Sequence, residues 1–181
     1  MSAPRRYVVM LGFAGAGTAL SLAELHREKI QKRFPKHFLQ QERMLQKLAG
    51  RLTALVAEDG NSRLHHIPEN CLVPMQDKEV FPSLWRLAEG LDAGLDVELR
   101  KIPVAQFAIE ICELFDENLY VNGPVAATDI YGLLIATETP EDILSFAEVQ
   151  EIPAAVIGRL TEKNDRVVRN GEIVRYLTPE G

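Results

Sequence analysis

The sequence predicts a single α/β domain spanning residues 1–181. Three observations carry that prediction. An apolar run, 7-YVVML-11, feeds a glycine-rich turn that opens into a helical pattern. From Phe38 to Val56 the apolar residues repeat at helical spacing. Beyond Gly94 the texture changes to strand, helix, strand, helix, strand.

The elements follow in order. Residues 18–33 read as a helix with Leu22, Leu25 and Ile30 facing inward, and Pro35 ends it or begins the next. Phe38, Leu45, Leu48, Leu52, Leu55 and Val56 then make a long amphipathic helix that stops near Gly60. Residues 61–76 hold two prolines and no period, and predict no element. A helix resumes around Val80, Leu84, Leu87 and Ala88, with Pro82 tolerated in its first turn. Leu95, Val97 and Leu99 alternate with Asp96 and Glu98 as a half-buried strand does. Pro103 opens a helix with Val104, Phe107, Ile111, Leu114 and Phe115 on one face. A loop at 122–124 leads to a strand over 131–137. In 139-TPED-142, Thr139 is the N-cap, Pro140 the first helical residue and Asp142 the acid two positions on. A strand over 153–160 follows, and 166–177 predicts a hairpin turning on Asn170 and Gly171.

Composition narrows the function. Hydrophobic residues make up 46% and charged residues 25%, an ordinary globular balance. The net charge of −6 argues against nucleic acid as the main partner, and no apolar run has the length of a membrane span. The local exception is the basic cluster 27-REKIQKRFPKH-37, whose cations complement the end of a helix, with a docking face for an acidic partner as the other reading. Cys71 and Cys112 have neither metal-finger nor disulfide spacing, which fits a reducing cytoplasm.

Four constellations offer chemistry. Gly12, Gly15, Gly17 and Thr18 are the candidate phosphate-binding residues, because a turn of this kind aims backbone N–H groups and a helix dipole at one point. Gly12 and Gly17 have the phosphate-loop spacing, but Thr18 follows where that loop needs its lysine. The other reading is a tight turn that lets helix and strand pack closely. In 65-HHIPENC-71, adjacent histidines point apart on an extended chain and rarely share a metal, so an exposed loop is the preferred reading. Cys112 falls on an apolar stripe and reads as a small hydrophobe, and no sequence feature marks Cys71 as an activated thiol, so neither is assigned catalysis. Thr139, Glu141 and Asp142 are accounted for by capping, without a metal.

Several segments together resemble one family. The start VVMLGFAGAGTALSLAE is similar to the entry strand, glycine turn and helix of the C-terminal domain of aminoimidazole ribonucleotide synthetase (PurM-like) proteins. VFPSLWRLAEGLDAGLDVELRKIPVAQFAIEICELFD, GLLIATETPEDI, IPAAVIGRLTEKNDRVV and NGEIVRYL resemble the same domain in the same order, covering about residues 8–176. The branch that includes hydrogenase maturation factor-like proteins is the most similar. The resemblance implies an α/β sandwich with a mixed sheet and partial ferredoxin-like topology. Complete members bind ATP and magnesium, chiefly through an N-terminal domain, and work in the cleft between the two domains.

The chain departs from that pattern twice. The resemblance places Met1 only a few residues before the C-terminal domain's first strand, so the N-terminal half is expected to be missing. The family stretch H-D-V-T-E-G-G falls on Val73, Pro74, Met75, Gln76, Asp77, Lys78 and Glu79, where only Asp77 keeps an acidic character. Two glycines have become Lys78 and Glu79. The expectation is a degenerate, non-catalytic binding or scaffold module that needs no cofactor alone and either self-associates or binds a protein over its cleft face. The alternative is one subunit of a split ATP-dependent enzyme, using ATP and magnesium with a separate N-terminal-like protein.

Overall fold

A computed structural model describes residues 6–57, 63–121, 123–124 and 129–170. Its centre is strand β1 (Tyr7–Gly12), whose Val8, Val9, Met10 and Leu11 are all fully buried, as a strand covered on both faces requires. The chain continues through α1 (Ala16–Leu25), α2 (Arg27–Arg33), α3 (Lys36–Ala57), β2 (Leu72–Met75) and α4 (Val80–Gly90). It then runs through β3 (Gly94–Glu98), α5 (Gln106–Leu114), β4 (Gly132–Thr137), α6 (Pro140–Val149), β5 (Ala154–Thr161) and β6 (Arg166–Arg169).

The six strands form one mixed sheet in the order β2-β4-β1-β5-β3-β6. β1 pairs antiparallel with β4 and β5, so those two run parallel to each other on either side of it, joined by α6. This is a split β-α-β unit, the ferredoxin-like part of the topology. β6 joins β3 in parallel, and Arg169 on β6 grips Asp96 on β3 at 2.7 and 2.8 Å. That contact holds the Asp96 carboxyl below its usual range.

Side-chain alternation along β1 divides the core. Val8 and Met10 meet β2, α4 and β3, whereas Val9 and Leu11 meet α3 and α6. A third cluster joins α1, α2, α3 and α5 through Ala19, Ile30, Leu45, Phe107 and Ile111. The sheet is thereby covered on both faces, the α/β class the sequence predicts.

The structure differs from the sequence reading in local detail. The expected helix over 18–33 is two helices that begin at Ala16 and break at His26. The His26 ring stacks on Phe115 at 4.4 Å, and the break buries Ile30 completely while leaving Leu25 70% exposed. β2 is a strand where none was expected. Its Pro74 is accommodated because β2 lies at the sheet edge. α5 starts at Gln106, since Ala14 and Val104 form a bridge that keeps the preceding residues extended. Thr139 does precede α6, but its side chain makes no cap: Thr137 Oγ1 instead accepts the Thr139 N–H at 3.0 Å. The return strand of the expected hairpin lies outside the described residues, although Asn170 has the positive φ of 60° that such a turn needs.

Candidate functional site

The glycine turn links β1 to α1, and several of its groups are tied to other segments. The Gly12 N–H donates to the Pro153 carbonyl at 2.8 Å, and the Ala14 N–H to the Pro103 carbonyl at 2.9 Å. Gly15 is the N-cap of α1 with φ 78° and ψ −2°, left-handed backbone that suits glycine. Gly17 sits beneath Tyr131: a Cβ there would lie 2.8 Å from the ring. Thr18 is buried in the first turn of α1. Of the four residues singled out in the sequence, Gly15, Gly17 and Thr18 lie at the N-terminus of α1, whereas Gly12 ends β1.

What meets them is a side chain. The Gly15 N–H donates to Glu79 Oε1 at 3.0 Å and to Oε2 at 3.2 Å. Glu79 precedes α4, and its own carbonyl accepts the Ser83 N–H at 3.2 Å. Its carboxyl group turns inward until the residue is only 2% exposed. Burial pushes its pKa up to about 8, against the smaller lowering effect of the Gly15 N–H. The position that an external anion would take at the start of α1 is thus taken by a carboxyl of the same chain.

The segment around Asn118 closes over this contact. Leu119 rests on Gly15, where a Cβ would come within 2.3 Å of its Cδ2. The Phe81 N–H donates to the Tyr120 carbonyl at 2.9 Å, and the two rings pack at 5.5 Å. Gly15→Ala is consequently expected to strain the left-handed backbone and displace Leu119, destabilising the fold by about 1–3 kcal/mol. Urea unfolding measures this directly, and an unchanged midpoint would show that the turn tolerates a side chain.

The remaining candidates are dispersed. Cys112 is buried on α5, and burial, then the Glu79 and Glu117 charges, push its thiol up to about 12. Cys71 is buried too, yet it lines a surface hollow of about 490 Å³ with His66, Arg6 and Asp142. Among the described residues, no three His, Cys, Asp or Glu are grouped to hold a metal ion. Asp77 and Lys78 are exposed beside the buried Glu79. Glutamate in the first residues of a helix ordinarily reads as a solvated acid, so the sequence marks Glu79 only through its departure from a family glycine. The Gly15 N–H is taken by Glu79, and no carboxylate cluster that could hold a magnesium ion stands beside the turn among the described residues.

No protein-family model and no curated protein matches the sequence. Solved structures do match. Over 93% of this chain and 47% of that one, E. coli HypE superposes with a TM-score of 0.59 at 17% identity. Thiamine monophosphate kinase from Aquifex aeolicus gives 0.56 at 18% identity over 93% of this chain and 51% of that one. A HypE–HypF complex gives 0.57 at 13% identity over 92% and 50%. At these identities the likeness is one of fold, the PurM-like fold. The chain spans about half the length of these structures. No described helix is long and apolar enough to cross a membrane.

Proposed function

We propose that this chain is a binding module, one domain over residues 1–181, built on the C-terminal-domain fold of PurM-like enzymes, and that it transfers no phosphoryl group by itself. The observation that carries the reading is the Glu79 carboxyl on the Gly15 N–H. A phosphate at the start of α1 would have to displace a buried acid and open the segment around Leu119. The candidate phosphate residues Gly12, Gly15, Gly17 and Thr18 then serve as the strand-to-helix turn. The surface that two-domain relatives bury between their halves takes a second copy of the chain or a protein partner, with the cytoplasm as the setting. The fold likeness to one half of a protein in complex with HypF is consistent with partnering.

Calorimetric titration with ATP, with and without magnesium, tests this. No saturable heat is expected. Saturable micromolar binding would overturn the reading in favour of the second one, a subunit of a split ATP-dependent enzyme. That second reading draws on the fold likeness to a kinase over about half its length. Light scattering tests the partner surface: a stable dimer supports it, and a monomer that stays soluble at high concentration weighs against self-association.

A further inference from the structure

A groove of about 610 Å³ lies between α3, the start of α5 and the loop before β5. Phe13, Leu48, Val104 and Pro153 form its walls, and Met44, 68% exposed, stands at its lip. Lys47 and Arg51, one turn apart on α3, share that lining, and among the described residues Glu151 is the one carboxylate in it. Neither cation is ion-paired with another described residue. The charge of the whole segment points the same way. Residues 27–51 hold eight of the chain's 20 Lys and Arg against two Glu, in a protein whose net charge is −6. One of those two, Glu42, is turned inward and consumed by Arg27.

We propose that this groove binds a small apolar carboxylate, with its hydrocarbon or aromatic body against the walls and its carboxylate on Lys47 and Arg51. The volume is that of a small-molecule site, apolar in body with few polar groups to orient the ligand. The guanidinium of Arg51 can accept a carboxylate as a planar fork, and Lys47 adds a second positive charge. Two cations with no ion-pair partner among the described residues, on a net-acidic chain, select an anion over a neutral or cationic ligand of the same shape. The inference names what the binding module binds, but it uses a different set of contacts from Glu79. Its failure and the failure of the ATP test are therefore separable.

The experiment uses the full chain and 8-anilinonaphthalene-1-sulfonate, an aromatic anion that fluoresces when its body is desolvated. One saturable site is expected, displaced by decanoate but not by decyltrimethylammonium of equal chain length. The K47E/R51E variant, altered at two exposed positions, should keep the wild-type circular dichroism and lose at least tenfold in affinity for the probe and for decanoate. Wild-type affinity in K47E/R51E, or equal displacement by the cationic amphiphile, would overturn the proposal. So would the absence of saturable binding, or displacement by an acidic amphipathic peptide but not by decanoate, which would give the groove to a protein partner.

Discussion

Glu79→Gln is expected to abolish a fall in stability that the wild-type chain shows as pH rises. The sign follows from the two pKa values. An unfolded Glu79 titrates near 4.5, and the folded one at about 8. Between them the folded state holds a proton that the unfolded state has released, so stability drops with rising pH across that interval and is level above it. At about 1.36 kcal/mol per pH unit the full interval corresponds to about 5 kcal/mol, and relaxation around a newly charged group lowers the observable figure to about 2–4 kcal/mol. Urea unfolding at pH 5, 7 and 9 on both proteins measures it. The variant should match the wild type at pH 5 and exceed it by that margin at pH 9, because glutamine keeps the volume and an acceptor for the Gly15 N–H without the charge. Parallel profiles would mean that water reaches Glu79, and the picture of a sealed turn would fall with them.

The same titration bears on function. At neutral pH the group in the turn is mostly the uncharged acid, so on the proposed reading an anion is kept out by filled space rather than by repulsion. A phosphate would have to compete with a packed side chain, with Leu119 behind it, for the Gly15 N–H. What the Gly15 N–H meets in this turn is a carboxyl of the same chain.

Much of this arrangement was legible from periodicity. The stripe through Leu45, Leu48, Leu52 and Leu55 is the buried face of α3, and the alternation at Leu95 and Val97 is the inward face of β3. Such elements announce themselves because the residues that decide them are neighbours in the chain. What was not legible depends on distant partners. β2 is a strand because β4 supplies its ladder, and its proline would otherwise argue against one. The break at His26 answers to Phe115, far along the sequence. Glu79 is separated from Gly15 by 64 residues, and no local pattern distinguishes a glutamate that turns inward from one that faces water. The glycines themselves could be read as a turn, but what occupies the turn could not.

Arg27→Ala should destabilise the chain by about 2–3 kcal/mol, and the loss should exceed that of Glu42→Ala. Arg27 at the start of α2 donates through Nη1 and Nη2 to the two oxygens of Glu42 on α3, both at 2.6 Å. The partners are unequally buried: the side chain of Glu42 is 8% exposed and that of Arg27 40%. Removing the arginine strands a carboxylate among apolar neighbours, whereas removing the glutamate leaves a guanidinium that can turn to water. The exposure of Arg27 keeps the figure below that of a fully buried pair. Arg27→Lys retains the charge but not the two-pronged geometry, so it should fall between wild type and Arg27→Ala. A double change to Arg27→Met and Glu42→Leu should recover most of the loss, since the desolvation penalty disappears with both charges. Denaturant unfolding of the four variants separates these cases, and equal losses for the two alanine variants would reduce the pair to a surface contact. The consequence reaches the groove, because α3 carries Glu42 on its inward face and Lys47 and Arg51 among its exposed residues. A helix that loses its tie to α2 should therefore hold Lys47 and Arg51 less firmly, and the sulfonate probe should bind Arg27→Ala more weakly although neither groove cation has changed.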